Sequence, residues 1–342
     1  MTDSGKSTGM HSENYIPVEN SQDPGKLAVL IPTFNGGRRL KQTIDSCVNA
    51  SLPPDSYEII VVDNQSDDGS VNNLPSKDRS GAKITLIHNK TNLGRIGNWN
   101  QAVAHAEVKR FRYFTFLFVG DEWPAKSGHK QLLAEMDRCN ACFALGPITI
   151  VDNEGATLYQ LNRLANPNSN MRRLPSTSLL GDSIENGILL FAPIQGNIYA
   201  TRKKNPLHFI ETDPSQTDQR ATIEYLCGSF SDVMISNEPL ASWKAHPERY
   251  HMSMDHLKRA NDTVGFLYKI EQLTSIKVNW SRANVNLMLG HVREALLLNR
   301  NWNDAWKIYC FYANNKNGLS YIYLFNRILT KIFKWHNRNR RY

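Results

Sequence analysis

Asp121 and Glu122 close the segment Y-F-T-F-L-F-V-G-D-E-W (residues 113–123), where an apolar run stops abruptly in two carboxylates. A buried strand that emits carboxylates at its C-terminal end is how many α/β enzymes hold a hard divalent cation against phosphates. Two further runs share that pattern, L-A-V-L-I-P-T-F-N (27–35) and E-I-I-V-V-D-N-Q-S-D-D (58–68). Three such ends on one edge of a parallel sheet make a nucleotide site, so the expected ligand is anionic and bound with Mg²⁺ or Mn²⁺. Asp121 is the first candidate metal ligand and Glu122 the second carboxylate. Such an ion keeps several waters and takes one or two carboxylates plus substrate phosphates.

In the first run Pro32 is expected to end the strand ladder, leaving Thr33, Phe34 and Asn35 at the sheet edge. A hydroxyl and an aromatic there can bracket a nucleoside; an ordinary strand-to-helix turn is the alternative. Asp63 follows four β-branched residues (Ile59, Ile60, Val61, Val62) and can accept from the ring N–H of a pyrimidine. Asp68, in the turn Asp67–Ser70, reads as a helix cap. The segment Asn92-Leu-Gly94-Arg95-Ile-Gly-Asn98-Trp-Asn100 precedes and opens a helix, and a helix N-terminus suits phosphates or sugar hydroxyls. Arg95 is either a bidentate donor to a diphosphate or a loop arginine bonded to carbonyls.

Strand-like runs at 27–32, 58–63, 83–88, 113–119 and 141–151 alternate with helix-like runs at 37–49, 95–108 and 126–138. This predicts an α/β fold, a doubly wound and mainly parallel sheet with right-handed crossovers. Further on, a helix is expected near 182–190, a strand at 197–202 and a helix at 214–228. Periodic apolar positions beyond Asp255 predict a helical C-terminal extension. The boundaries expected are a disordered arm (1–26), the α/β domain (27–250), the helical extension (251–318) and a basic amphipathic helix (319–342).

The composition is 41% hydrophobic, enough for a sizeable core, with no apolar stretch long enough to span a bilayer. Nothing near Met1 resembles a signal peptide. The five cysteines are odd in number and scattered, which suggests buried thiols in a reducing cytoplasm over a zinc site. The net charge of +8 is local: no acidic residue follows Asp304, whereas Lys307, Lys316, Arg327, Lys331, Lys334, Arg338, Arg340 and Arg341 do. The remaining body is neutral, which favours a local anionic partner over nucleic acid. As a helix, residues 322–335 place apolar and aromatic side chains along one face and cations on another. An anionic membrane surface is the expected partner, with the enzyme peripheral on the cytoplasmic face.

I-P-T-F-N-G, V-V-D-N-Q-S-D-D-G-S, N-L-G-R-I-G-N-W-N and F-L-F-V-G-D-E, in this order, resemble the inverting family 2 glycosyltransferases of the GT-A fold. The resemblance covers roughly residues 27–250. It implies a nucleotide-diphosphate-sugar donor, a divalent cation, base contacts near Thr33 and Asp63, and one-step transfer with inversion. The family's D-x-D has Val119 in its first acidic position, leaving Asp121 with Glu122 beside it. The resemblance also places the catalytic base at an acid opening a helix after the strand near 197–202. Asp218 fits that place, with Asp213 before Pro214 as runner-up. Lys244, His246 and Arg249 resemble the basic segment that folds back over the diphosphate, His246 being a further metal-ligand candidate. The acceptor implied is a saccharide, lipid-linked or part of a surface polysaccharide. A nucleotidyltransferase, using Gly36-Gly37-Arg38-Arg39, and a catalytically silent carbohydrate-binding scaffold are the other readings.

Overall fold

The computed structural model describes residues 27–327 except 126, 153, 162–170, 188–193, 203–204, 211–216, 230, 245–254, 298–300 and 316–317. The proposed arm at 1–26, Asp213, His246, Arg249 and most of the basic C-terminal segment lie outside the described residues. An eight-stranded sheet has the order β3-β2-β1-β4-β9-β5-β10-β8. Its strands are β1 (Leu27–Thr33), β2 (Tyr57–Asp63), β3 (Lys83–His88), β4 (Tyr113–Phe116), β5 (Phe143–Leu145), β8 (Met171–Pro175), β9 (Ile198–Ala200) and β10 (Asp232–Ser236). A small second sheet orders β6 (Ile148–Val151), β7 (Thr157–Leu161) and β11 (Ala241–Lys244) as β11-β6-β7.

The neighbouring interior strands β1 and β2 are buried at every position, as near-continuous apolar runs in a parallel sheet must be. Side-chain alternation splits β1 between two cores. Leu27, Val29 and Ile31 join Leu40, Ile44, Leu132 and Met136 of α1 (Gly37–Ser46) and α3 (His129–Cys139). Ala28 and Leu30 join Ile96, Ala102 and Val103 of α2 (Gly94–Val108), together with α4 (Ser176–Glu185) and α5 (Thr217–Cys227). The C-terminal helices α6 (His256–Thr274), α7 (Trp280–Leu297) and α8 (Trp302–Ala313) feed buried residues into this second cluster.

Three sequence expectations need correcting. The run 141–151 is two strands in two sheets, because Gly146-Pro147 breaks it and Leu240 packs where a Gly146 side chain would stand. The run 113–119 pairs as a strand only to Phe116. Pro32 lies inside β1, which continues to Thr33 opposite Asp63. The sheet also departs from a uniform parallel order, since β9 runs antiparallel between β4 and β5 and β8 runs antiparallel to β10. The cysteines are all free; Cys47 and Cys142 are buried, whereas Cys227 is exposed.

Candidate active site

The C-terminal ends of β1, β2 and β4 converge as expected. Thr33 and Asp63 are register partners, and the Asn64 N–H donates to the Thr33 carbonyl at 2.9 Å. Beyond β4, the Leu117 N–H still donates to Leu30, and then Gly120, at φ +91°, turns the chain so that the Asp121 N–H closes on the Phe118 carbonyl at 2.8 Å. A residue with a Cβ would strain that turn. Asp121 is thereby fully buried, and its Oδ2 accepts from Gln195 Nε2 at 2.9 Å.

Helix α1 and the 3₁₀ turn that follows it hold this loop from beneath. The buried Thr43 hydroxyl accepts from the Gly120 N–H and donates to the Asp121 carbonyl, each at 2.9 Å. One turn on, Ser46 Oγ accepts from the Trp123 N–H at 3.0 Å, and Asn49 Nδ2 donates to the Trp123 carbonyl at 2.8 Å. Positions 43, 46 and 49 follow helical spacing, so one face supplies all four hydrogen bonds. The Trp123 ring rests on His129, with centroids 4.2 Å apart. Complete burial lowers the His129 imidazole to about 3, leaving it neutral.

The loops that follow β1 and β2 are laced together. The Asn35 N–H donates to Ser66 Oγ at 2.9 Å, and Asn35 Oδ1 accepts from the Asp67 N–H at 3.0 Å. Phe34 stands 54% exposed between them, available for stacking on a base. The Thr33 hydroxyl, by contrast, is buried without a hydrogen-bond partner beneath Gly36, where an added Cβ would lie 2.7 Å from it. Asp63 is buried and accepts from the Ser66 N–H at 3.1 Å, and its Oδ2 lies 3.0 Å from His88 Nδ1. Two carboxylate oxygens retain further acceptor capacity beyond these contacts. Asp68 caps no helix of its own segment; its Oδ2 instead accepts from the Gly37 N–H in the first turn of α1 at 2.8 Å. That carboxylate occupies the helix end a nucleotidyltransferase would need for phosphate.

At the α2 end, Asn92 Oδ1 accepts from Asn64 Nδ2 at 2.8 Å and from the Gly94 N–H at 2.9 Å. Asn64, Asn89 and Asn98 extend this into a buried amide network that also reaches the Val62 carbonyl. Such a network fixes the α2 N-terminus against the β2 end. The Arg95 guanidinium carbon lies 5.0 Å from the Trp99 ring centroid. Asn100 has a structural duty: its amide donates to the Phe209 carbonyl and accepts from the Phe209 N–H, both at 2.9 Å. This pins the segment before α5 to α2.

Asp218 sits in the first turn of α5, half-buried, with Oδ1 accepting from the Gln219 N–H at 2.9 Å. One turn later the Thr222 hydroxyl meets Tyr199 Oη of β9 at 2.8 Å. The chain entering β9 carries Gln195, so α5 and the Asp121 loop are anchored to the same strand and its lead-in. Glu122 is committed elsewhere. Its backbone pairs with Ser242, and its carboxylate holds Lys244 Nζ at 2.7 Å. Glu122, Ser242 and Lys244 line a cavity of about 310 Å³ with Val151, Glu154 and Gly155. Among the described residues no group of three His, Cys, Asp or Glu side chains converges as a metal cage.

Sequence reasoning missed Gln195, Thr43, His88 and Asn64. The one available signal was Gln195-Gly196-Asn197, a polar break after an apolar run.

A mainly parallel sheet with one reversed inner strand and polar strand ends is the architecture of the GT-A fold. The chain matches the family model described as Glycosyl transferase family 2 over residues 28–194. It is 26% identical over 132 residues to the putative teichuronic acid biosynthesis glycosyltransferase TuaG of Bacillus subtilis, covering 39% of this chain and 50% of that one. It is 22% identical over 281 residues to the poly(ribitol-phosphate) beta-N-acetylglucosaminyltransferase TarS of Staphylococcus aureus, covering 81% of this chain and 44% of TarS. The matches thus span half or less of these relatives. A crystal structure of S. aureus TarS 1–349 in complex with UDP-GlcNAc superposes with a TM-score of 0.55 at 18% identity, over 81% of this chain and 74% of that one.

Proposed function

We propose that the protein transfers a sugar, with inversion, from a uridine-diphosphate sugar to a hydroxyl of a surface-polysaccharide or lipid-linked acceptor. The convergence of Phe34, Asp63 and Asp121 on one sheet edge carries this reading. The relatives named for glycosylating wall polymers and the neighbour solved with UDP-GlcNAc support it. Phe34 offers the base a ring, Asp63 an acceptor, and the α2 N-terminus with Arg95 faces the sugar diphosphate. On the acceptor side, Asp218 takes the proton of the attacking hydroxyl, with Asp213 as its competitor. The proposed domain runs from 27 to 250, with the helices beyond it as an extension.

Mg²⁺ or Mn²⁺, when bound, would neutralise charge on the leaving diphosphate. Asp121 is the carboxylate proposed to hold the ion; here it is fully buried and accepts from Gln195. Glu122, tied to Lys244, does not fit as the second ligand. Lys244 is held by the same ion pair, 2.7 Å from the Glu122 carboxylate, and His246 and Arg249 remain proposals from sequence. Among the described residues no helix is long and apolar enough to cross a membrane. Attachment to the cytoplasmic face of the membrane through the basic C-terminal segment is part of the proposal.

The test is thermal stabilisation of the purified protein by UDP-, GDP- and dTDP-sugars with manganese, followed by transfer assays. Stabilisation by a UDP-sugar that Asp121→Ala loses in its manganese-dependent part is expected. Full manganese-dependent affinity in that variant would remove Asp121 as the ligand, and stabilisation by none of the donors would overturn the reading.

A further inference from the structure

Away from the sheet edge, α8 presents one face to the core and an aromatic face to solvent. Ala305, Ile308 and Tyr312 point inward and are buried. Trp302 and Trp306, one turn apart, are 77% and 63% exposed. Trp306 stacks on Tyr309 with centroids 5.3 Å apart, and the Tyr321 side chain lies beside that of Tyr309. Residues 321–327 are helical, so Tyr321 and Phe325 share a face, and Tyr321, Ile322 and Phe325 are each more than 60% exposed. Exposed large apolar side chains are ordinary singly; a contiguous set marks an interaction surface.

The geometry points to the water–lipid boundary of an anionic bilayer as the occupant of this surface. Two features decide between that and another protein face. The ring set is dominated by Trp and Tyr, whose apolar bodies and polar tips suit the headgroup region. The chain that leaves the patch at Arg327 supplies five more cations and no acid down to Tyr342. Cations beside inserted aromatics favour anionic lipid and are expected to act together with them. The inference rests on the membrane part of the proposed function and moves the contact from the terminal segment onto the folded helix α8. It is independent of which sugar is transferred.

The experiment uses the full chain and sedimentation with vesicles of phosphatidylcholine alone or with 30% phosphatidylglycerol. Three proteins are compared: wild type, the Trp302→Ser/Trp306→Ser double variant, and a variant with Lys331, Lys334, Arg338 and Arg340 changed to Glu. Exposed tryptophans can be replaced without opening the core, and circular dichroism with donor-induced stabilisation checks that the fold is kept. Wild type is expected to prefer the anionic vesicles, with the tryptophan variant at least tenfold weaker. Equal binding by wild type and the tryptophan variant, with loss in the charge variant alone, would overturn the inference and leave the terminal segment as the contact. Failure of wild type to bind either vesicle overturns both. Concentration-dependent self-association of wild type in analytical ultracentrifugation, abolished by Trp302→Ser/Trp306→Ser without any vesicle binding, would reassign the face to a second copy of this chain.

Discussion

Replacing Thr43 by valine keeps the side-chain shape and removes one hydroxyl that serves two buried backbone groups of the Asp121 loop. The Gly120 N–H loses its acceptor and the Asp121 carbonyl loses its donor, both formerly at 2.9 Å. A buried polar group left without a partner costs about 1–3 kcal/mol. Some relaxation of the loop offsets part of this, so the two together are expected to destabilise the protein by about 2–4 kcal/mol. The cost falls on the turn that aims Asp121, so donor binding suffers beyond what global stability predicts. Thr43→Ser retains the hydroxyl and loses only a methyl, and should recover most of both effects. Urea denaturation gives the stability difference, and titration calorimetry with UDP and manganese at a temperature where all three variants are folded gives the affinity. Valine and serine variants of equal stability, or a valine variant with wild-type affinity, would refute the claim that this hydroxyl positions the loop.

His129 gives a pH signature. Its folded imidazole lies near 3 against an ordinary value of 6.5, so the unfolded chain binds the proton first. The neutral form contributes stability that is present above pH 6.5 and is lost as pH falls from 6.5 towards 3. Between pH 7 and pH 5 this amounts to about 2 kcal/mol, and His129→Gln should flatten the pH dependence of urea-derived stability by that amount. An unchanged slope would mean the ring is not held neutral by burial. Asp218→Asn should leave donor affinity near wild type and lower turnover by roughly 10²–10⁴-fold. If Asp213→Asn shows that pattern instead, the base is Asp213, and if donor affinity collapses in Asp218→Asn, its role is binding.

The sequence by itself determined the sheet-forming segments of the first half and the polar groups at their ends. β1 and β2 are unbroken apolar runs, and the end of such a run is where a parallel strand must surrender its side chains to the sheet edge. Asp63 and Asp121 were legible for that reason, and Asp218 as an acid in the opening turn of a helix. Tertiary structure alone decided what those groups do. Gln195 reaches Asp121 across 74 residues, Thr43 across 78, and Asn100 holds Phe209 across 109. A side-chain hydrogen bond to a group distant in the chain leaves no period in the sequence, so neither the clamp under Asp121 nor the structural duty of Asn100 could be read there. Glu122 shows the same limit from the other side. Its neighbour marks it as a ligand, but pairing with β11 places Lys244 2.7 Å from its carboxylate and turns it into an ion pair. The reversed β9 is decided in the same way, because a three-residue strand carries no record of its direction, and the ladder it joins between β4 and β5 sets it.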